Sequence, residues 1–284
     1  MHALHETINP ALPWLLALVL TGSALWFSTA AAAPAADLWP RWQAYSADSI
    51  DSVDHSPWDL LLKNYLVINH PSGINRFRYA DVTTVDRQAL DAYLKQLQTV
   101  KVTSLNRQEQ QAYWINLYNA FTVKVVLEHY PVKSIMDIGI SPGFFNRGPW
   151  DAKLLHIEEE QLSLNDIEHR ILRPIFKDNR LHYALNCASI GCPNLQPVAF
   201  TATNSGELLE TGARDYINSP RGAQLVKGGL QVSSIYKWFQ SDFGGSEAGV
   251  IRHLRKYARG SLAETLQTYD KGLRYAYDWA LNEP

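Results

Sequence analysis

An α+β domain, mainly helical around a small antiparallel sheet, is the fold class this sequence predicts. Three observations carry that expectation. The segment from Asn106 to Tyr130 is polar for its first turns and then, from Ala112 on, apolar almost all round. That is the pattern of a helix enclosed by a core, not one lying on a surface. Between Ala223 and Val232, two short apolar runs flank Gly228-Gly229, a hairpin with its turn residues in place. No repeat, low-complexity tract or linker interrupts residues 36–284, so a single domain is expected there.

The elements follow in order. Leu15 to Phe27 is an apolar run too short for a comfortable membrane span, and small residues follow it from Ala30 to Ala36. Residues 1–35 therefore read as a secretory signal peptide, cut after Ala32 or Ala35 because Pro34 disfavours a cut after Ala33. The expectation is a periplasmic or secreted protein with no membrane span after cleavage. Leu38 to Tyr45 carries a short helical stripe. Ser56-Pro57 opens a helix with Trp58, Leu61, Leu62 and Tyr65 on one face. Pro71-Ser72-Gly73 breaks the chain, a short extended piece holds Phe77 and Tyr79, and another helix runs from Thr84 through Leu97. Pro131 ends the long central helix. Residues 138–150 form a loop rich in Gly, Pro and Asn, with Arg147 placed to bind a carboxylate. Ala152 to Ile157 reads as a strand containing His156, and Ser163 with Asp166 reads as a capping box for the next helix. After a helix over 204–217 and the hairpin come a short aromatic helix (234–239), a basic-flecked helix (246–257), a further helix from Ser261 and a strand over 273–277.

Two places stand out chemically. The central helix carries Asn116 and Asn119, three apart and so on one face. Buried amides must be hydrogen-bonded, either to loop backbone or, for Asn119, to a catalytic imidazole. Trp114 joins them as a candidate binding residue. The second place is Leu181 to Leu195, L-H-Y-A-L-N-C-A-S-I-G-C-P-N-L, which holds the only two cysteines, Cys187 and Cys192. It reads as a strand entering a tight loop. Strand alternation sets His182 on the opposite face from Cys187, which makes Cys192 the expected partner of His182.

Four motifs, Y-W-I-N-L-Y-N-A (113–120), H-Y-A-L-N-C-A-S-I-G-C-P (182–193), W-F-Q-S-D-F (238–243) and Y-D-W-A-L-N (277–282), together give the sequence a family likeness. From about Ala44 to the C-terminus it resembles the family catalogued as domain of unknown function 547. The resemblance implies a bacterial exported single-domain protein and brings no settled activity with it. Papain-like and transglutaminase-like enzymes offer a remote analogy only. They set a cysteine at the start of the buried central helix, whereas here the cysteines follow the histidine-bearing segment.

The formal charge of −2 and the absence of a basic run point away from nucleic acid. Three readings of the cysteine loop compete. In the first, a thiol hydrolase or acyl transferase, Cys192 is the nucleophile and His182 or His156 the base. Asn119, Asp278 or Glu168 orients the imidazole, and the backbone N–H groups of 189–192 form an oxyanion hole. In the second, Cys187 and Cys192 exchange thiol and disulfide with a substrate. In the third they form a structural disulfide on a ligand-binding protein. Trp114, Asn116, Arg147, Asn186 and Ser189 are the candidate binding residues for a small-molecule or peptide ligand. No cofactor and no metal is expected, since a zinc set of Cys187, Cys192, His182 and His169 lacks any paired ligand spacing.

Overall fold

Helix α3, Arg107–His129, runs through the main core of the molecule, and most of the remaining elements are arranged around it. Asn106 caps it by accepting from Glu109 N–H, as its place before the polar first turn predicts. From Ala112 to Val123 every residue is buried, the asparagines included. The computed structural model describes residues 34–143 and 147–284. The expected signal segment and the tip of the 138–150 loop lie outside the described residues. Ala33–Pro284 is one compact unit.

Around α3 lie α1 (Ser56–Tyr65) and α2 (Thr84–Thr99), with a two-stranded antiparallel sheet of β1 (Leu66–Val67) and β2 (Arg76–Phe77). A second antiparallel pair, β3 (Leu155–Ile157) and β4 (Glu160–Leu162), leads to the Ser163–Asp166 capping box. There Ser163 N–H and Oγ donate to Asp166 Oδ2 while Asp166 N–H donates to Ser163 Oγ. The segment that follows is π-helical, Asp166–Leu172, before α4 (Arg173–Phe176). Past α5 (Ser205–Ile217) come β5 (Ala223–Val226) and β6 (Gly229–Ser233), the hairpin expected at the two glycines. The remaining elements are α6 (Ile235–Trp238), α7 (Glu247–Tyr257), α8 (Gly260–Thr268) and β7 (Leu273–Ala276). The fold is thus mainly helical with small antiparallel sheets, as the sequence predicts. The last sheet also takes β7 alongside β6 in parallel.

Two hydrophobic clusters fill the unit. One surrounds α3; the other joins α5, the last sheet, α7 and α8. The cysteine segment passes between them: Leu181, Ala184 and Leu185 belong to the first cluster and Tyr183 to the second.

That placement overturns the strand expected over 181–187. Asn179–Tyr183 is a 3-10 turn whose first donor, Arg180 N–H, bonds the Asp178 side chain. Residues 181–186 are buried without alternation, because apolar neighbours lie on every side. The backbone beyond the turn is paired by side chains and not by a sheet. Asn119 Nδ2 donates to Ala184 O (2.8 Å), and Asn186 N–H donates to Asn119 Oδ1 (2.8 Å). Asn116 does the same for Phe200, donating to its carbonyl at 2.7 Å and accepting from its N–H at 2.9 Å. Both amides hold loop backbone, and among the described residues neither has an imidazole as a hydrogen-bond partner.

Asn119→Ala leaves Ala184 C=O and Asn186 N–H orphaned in a dry core. We expect a loss of about 1–3 kcal/mol for each group, read by denaturant unfolding. The exposed Gln108→Ala on the same helix should stay within about 0.5 kcal/mol of wild type.

Candidate functional site

The cysteine loop is held from three directions. The chain's last residues lie antiparallel to it: Ile190 N–H donates to Ala280 O (2.8 Å), Gly191 N–H to Asp278 O (2.8 Å), and Asn282 N–H to Ala188 O (3.1 Å). Gly191 is required by this approach, since a Cβ there would sit 2.8 Å from Asp278 N and 2.9 Å from its O. From the other side Arg221 Nη1 donates to the carbonyls of Ile190 (3.1 Å) and Cys192 (2.6 Å), and Tyr216 OH donates to Gly191 O (2.6 Å). Within the loop, Asn186 donates to Pro193 O and accepts from Ala188 N–H. Ala188, directly after Cys187, is held at φ 56°, the left-handed region that a residue with a Cβ enters only when its surroundings compel it.

These bonds correct the oxyanion-hole expectation for three of its four N–H groups. The N–H groups of Ile190 and Gly191 already donate to the C-terminal segment, and that of Cys192 donates to Ser189 O. They are spent on holding the loop.

The two sulfurs lie 2.9 Å apart, both free thiols. Cys192 is buried, 3% exposed, and accepts from Cys187 N–H at 2.9 Å. Cys187 is half-buried, and three groups surround its Sγ: Cys192 Sγ, Ser189 Oγ at 3.3 Å and Tyr277 OH at 3.0 Å. Tyr277 OH also bonds Ser189 Oγ (3.0 Å). The environments push the thiols apart. The hydrogen bond from Cys192 lowers the pKa of Cys187 against the opposing effect of burial, and the hydroxyls of Ser189 and Tyr277 lower it further. Burial raises Cys192 well above an ordinary thiol, and its bond to Cys187 raises it more. Burial likewise raises the Tyr277 phenol, followed by the two thiols, so it stays a proton donor. Cys187, not Cys192, is the thiol placed to ionise.

His182 is engaged elsewhere. Its Nε2 donates to Asp242 Oδ2 at 2.8 Å, its Nδ1 lies 3.9 Å from Glu168 Oε1, and its ring stacks on Phe239 with centroids 4.4 Å apart. The Cys192–His182 pairing rested on a strand that does not form. Asp242 anchors the cluster by also taking a fork from Arg173, Nε at 2.6 Å and Nη2 at 3.1 Å. Arg173 Nη1 donates to His169 Nδ1 (3.1 Å), which fixes the His169 proton on Nε2. Tyr118 OH on α3 donates to Glu168 Oε2 (3.2 Å). The cluster ties α3, the π-helical segment, α4, the 3-10 turn and the turn at Gln240–Phe243 together. Glu168 also acts on the thiol electrostatically, its charge opposing ionisation of Cys187.

The other sequence candidates are dispersed. His156 is exposed on β3, where its N–H bonds Gln98. Asp278 is exposed, and its carboxylate accepts from Ala280 N–H, shaping the C-terminal turn. Trp114 is buried edge-on against Trp42 and Tyr113. Arg147 is exposed. Among the sequence candidates, Asn119, Asn186, Ser189 and the two cysteines converge on the loop, and Asp278 meets it through its backbone carbonyl alone. Tyr277, Arg221, Tyr216, Arg173 and Asp242 escaped the sequence reading. Asp242 and Tyr277 each had a local signal, an acid between aromatics in W-F-Q-S-D-F and the first residue of Y-D-W-A-L-N.

Two surface depressions, one beside Arg252, Tyr269 and Lys271 and one beside Asp51, Gln96 and Lys101, are lined by none of the site residues. Among the described residues, no group of three or more His, Cys, Asp or Glu side chains could hold a metal ion. No described helix is long and apolar enough to cross a membrane.

The framework around the loop has a known counterpart at the level of sequence. Residues 102–217 match the family model described as "Protein of unknown function, DUF547". The match supports that family for the segment from just before α3 to the end of α5, which includes the π-helical segment and both cysteines. Tyr277 and Asp242 fall beyond the DUF547 match. No curated protein and no solved structure matches the chain.

The Asp242 bonds give a pH signature. Burial raises the pKa of this carboxyl, but hydrogen bonds from His182 and Arg173 override it and hold the group well below the usual carboxylate range. The unfolded chain therefore takes up this proton first as pH falls. The stabilisation is complete above about pH 5 and is lost as pH drops below the ordinary value near 3.9 towards the folded one. Asp242→Asn should lower stability at pH 7 and make the acid limb of the stability–pH curve shallower, measured by urea unfolding from about pH 7 to 2.

Proposed function

We propose that this is an exported thiol–disulfide exchange protein with Cys187 as attacking thiol and Cys192 as resolving thiol. The observation that carries the reading is the pair itself: sulfurs 2.9 Å apart, the more exposed one also within hydrogen-bond reach of the Ser189 and Tyr277 hydroxyls and the other buried. A disulfide needs about 2.05 Å between sulfurs, so the pair closes with a movement of about 0.9 Å.

The exchange proceeds in two steps. The Cys187 thiolate attacks one sulfur of a substrate disulfide, forming a mixed disulfide and releasing the other sulfur as a thiolate, which takes up a proton. Cys192 then loses its proton and attacks Cys187 Sγ. The intramolecular disulfide forms and the second substrate sulfur leaves as a thiolate that is protonated in turn. Substrate disulfide and protein dithiol become substrate dithiol and protein disulfide, two electrons passing from protein to substrate; the reverse sequence oxidises a substrate. Tyr277 and Ser189 donate to Cys187 Sγ when it carries charge, both before attack and as it leaves.

Hydrolysis by the same thiol lacks support at two points. Neither sulfur has an imidazole among its hydrogen-bond partners within the described residues, and the N–H groups of Ile190, Gly191 and Cys192 are occupied. A purely structural disulfide has little to do in a loop already fixed by Arg221, Tyr216, Asn119 and the C-terminal segment. Export rests on the apolar run at 15–27 and the small residues after it. It places the pair in a compartment where disulfides persist.

The test is equilibration of the purified protein with glutathione buffers. Wild type should form and release the Cys187–Cys192 bond with a potential above about −300 mV, below which structural disulfides lie. Cys192→Ser should accumulate one glutathione on Cys187, located by mass spectrometry. A pair that stays oxidised at lower potentials, or a Cys192→Ser protein that takes up no glutathione, contradicts the proposal.

A further inference from the structure

The rings beside Cys187 form a continuous wall. Tyr277, whose hydroxyl touches the sulfur, has its ring 4.6 Å from that of Trp279 and 4.8 Å from that of Trp238. Trp238 and Trp279 stack at 5.6 Å with planes 28° apart, and Trp150 meets Trp279 edge-on at 5.7 Å. All four are half-buried. Trp150 and Trp279 pack on the margin of one hydrophobic cluster, Trp238 and Tyr277 on the margin of the other. The wall covers the seam where the cysteine loop comes to the surface.

Filling that seam requires apolar area, which smaller aliphatic residues also supply. What the three tryptophans add is a flat face and a donor. The indole N–H groups of Trp150, Trp238 and Trp279 have no hydrogen-bond partner among the described residues. Rigid rings with an apolar face and a free N–H suit a polypeptide, whose side chains stack on the face while its carbonyls take the donor. Each centroid step, 4.6 Å from Tyr277 to Trp279 and 5.7 Å from Trp279 to Trp150, exceeds the rise of about 3.3 Å per residue of an extended chain.

We infer that this wall is the substrate-binding surface of Cys187 and that its occupant is an extended polypeptide carrying a disulfide with aromatic or large apolar side chains beside its cysteine. The inference rests on the exchange reading above, since the wall acquires a substrate only if Cys187 reacts with one. The first step then takes place with the peptide laid along the rings and its sulfur at the Tyr277 end.

The experiment measures the rate at which the reduced protein is oxidised by two peptide disulfides of equal length and charge. One has Trp and Leu beside the cysteine; the other has Ser and Gly there. Hydroxyethyl disulfide is the third probe. Wild type should prefer the apolar peptide by about 3- to 10-fold, the size of one or two aromatic contacts. In Trp150→Leu and in Trp238→Leu the ratio of the two peptide rates should fall towards one; a thermal melt checks that each variant folds. Equal rates for the two peptides in wild type overturn the inference and leave the exchange reading standing, provided hydroxyethyl disulfide still oxidises the pair. No reaction with any of the three disulfides removes the exchange reading and the inference with it. The wild-type ratio alone decides if a variant fails to fold.

Discussion

On α3 the Asn119 amide is buried, and both of its ends close on the backbone of the cysteine segment, donating to Ala184 and accepting from Asn186. A helix buried on all sides has little other use for a polar side chain, and burying an amide without partners is costly. The consequence travels along the chain. With Ala184 and Asn186 fixed, Asn186 can reach Pro193 and Ala188, which closes the loop and brings Cys192 back beneath Cys187. The short distance between the sulfurs is an outcome of core packing around α3, reached through two amide bonds.

The rest of the structure completes what that amide begins. Arg221 and Tyr216 satisfy the carbonyls of Ile190, Gly191 and Cys192, while residues 278–282 satisfy the N–H groups of Ile190 and Gly191 and the Ala188 carbonyl. The loop is therefore rigid by saturation: its polar backbone has few groups left to rearrange. Left-handed Ala188 is the residue at which this constraint is concentrated, immediately beside the more exposed thiol. The Asp242 cluster acts at one remove. Its fork with Arg173 and its bond to His182 tie the 3-10 turn to the aromatic turn at Gln240–Phe243, which follows Trp238 of the ring wall.

Much of this framework was legible in the sequence. An apolar run with two asparagines three apart announces buried amides, and Asn116 and Asn119 do bond loop backbone on both sides. The Gly228-Gly229 hairpin and the Ser163–Asp166 box follow from local chemistry, which is why both appear where expected. The stretch Leu181 to Cys187 misled for a physical reason. A segment enclosed on every side loses the alternation that marks a strand, and its backbone bonds come from Asn119, more than sixty residues earlier. The choice between the cysteines depended on that misplaced strand. Tyr277 and Arg221 reach the loop across 90 and 29 residues respectively, and nothing local to either announces the contact.

The central claim is that Cys187 ionises more readily than Cys192. The most direct measurement is iodoacetamide labelling of the fully reduced protein across pH, with each cysteine followed separately by mass spectrometry, in wild type and in Tyr277→Phe. The account predicts that Cys187 labels with a midpoint below the ordinary thiol value of about 8.5, that this midpoint rises when the Tyr277 hydroxyl is removed, and that Cys192 stays unlabelled until denaturant is added. Labelling of Cys192 first, or a Cys187 midpoint at or above the ordinary value, would contradict it.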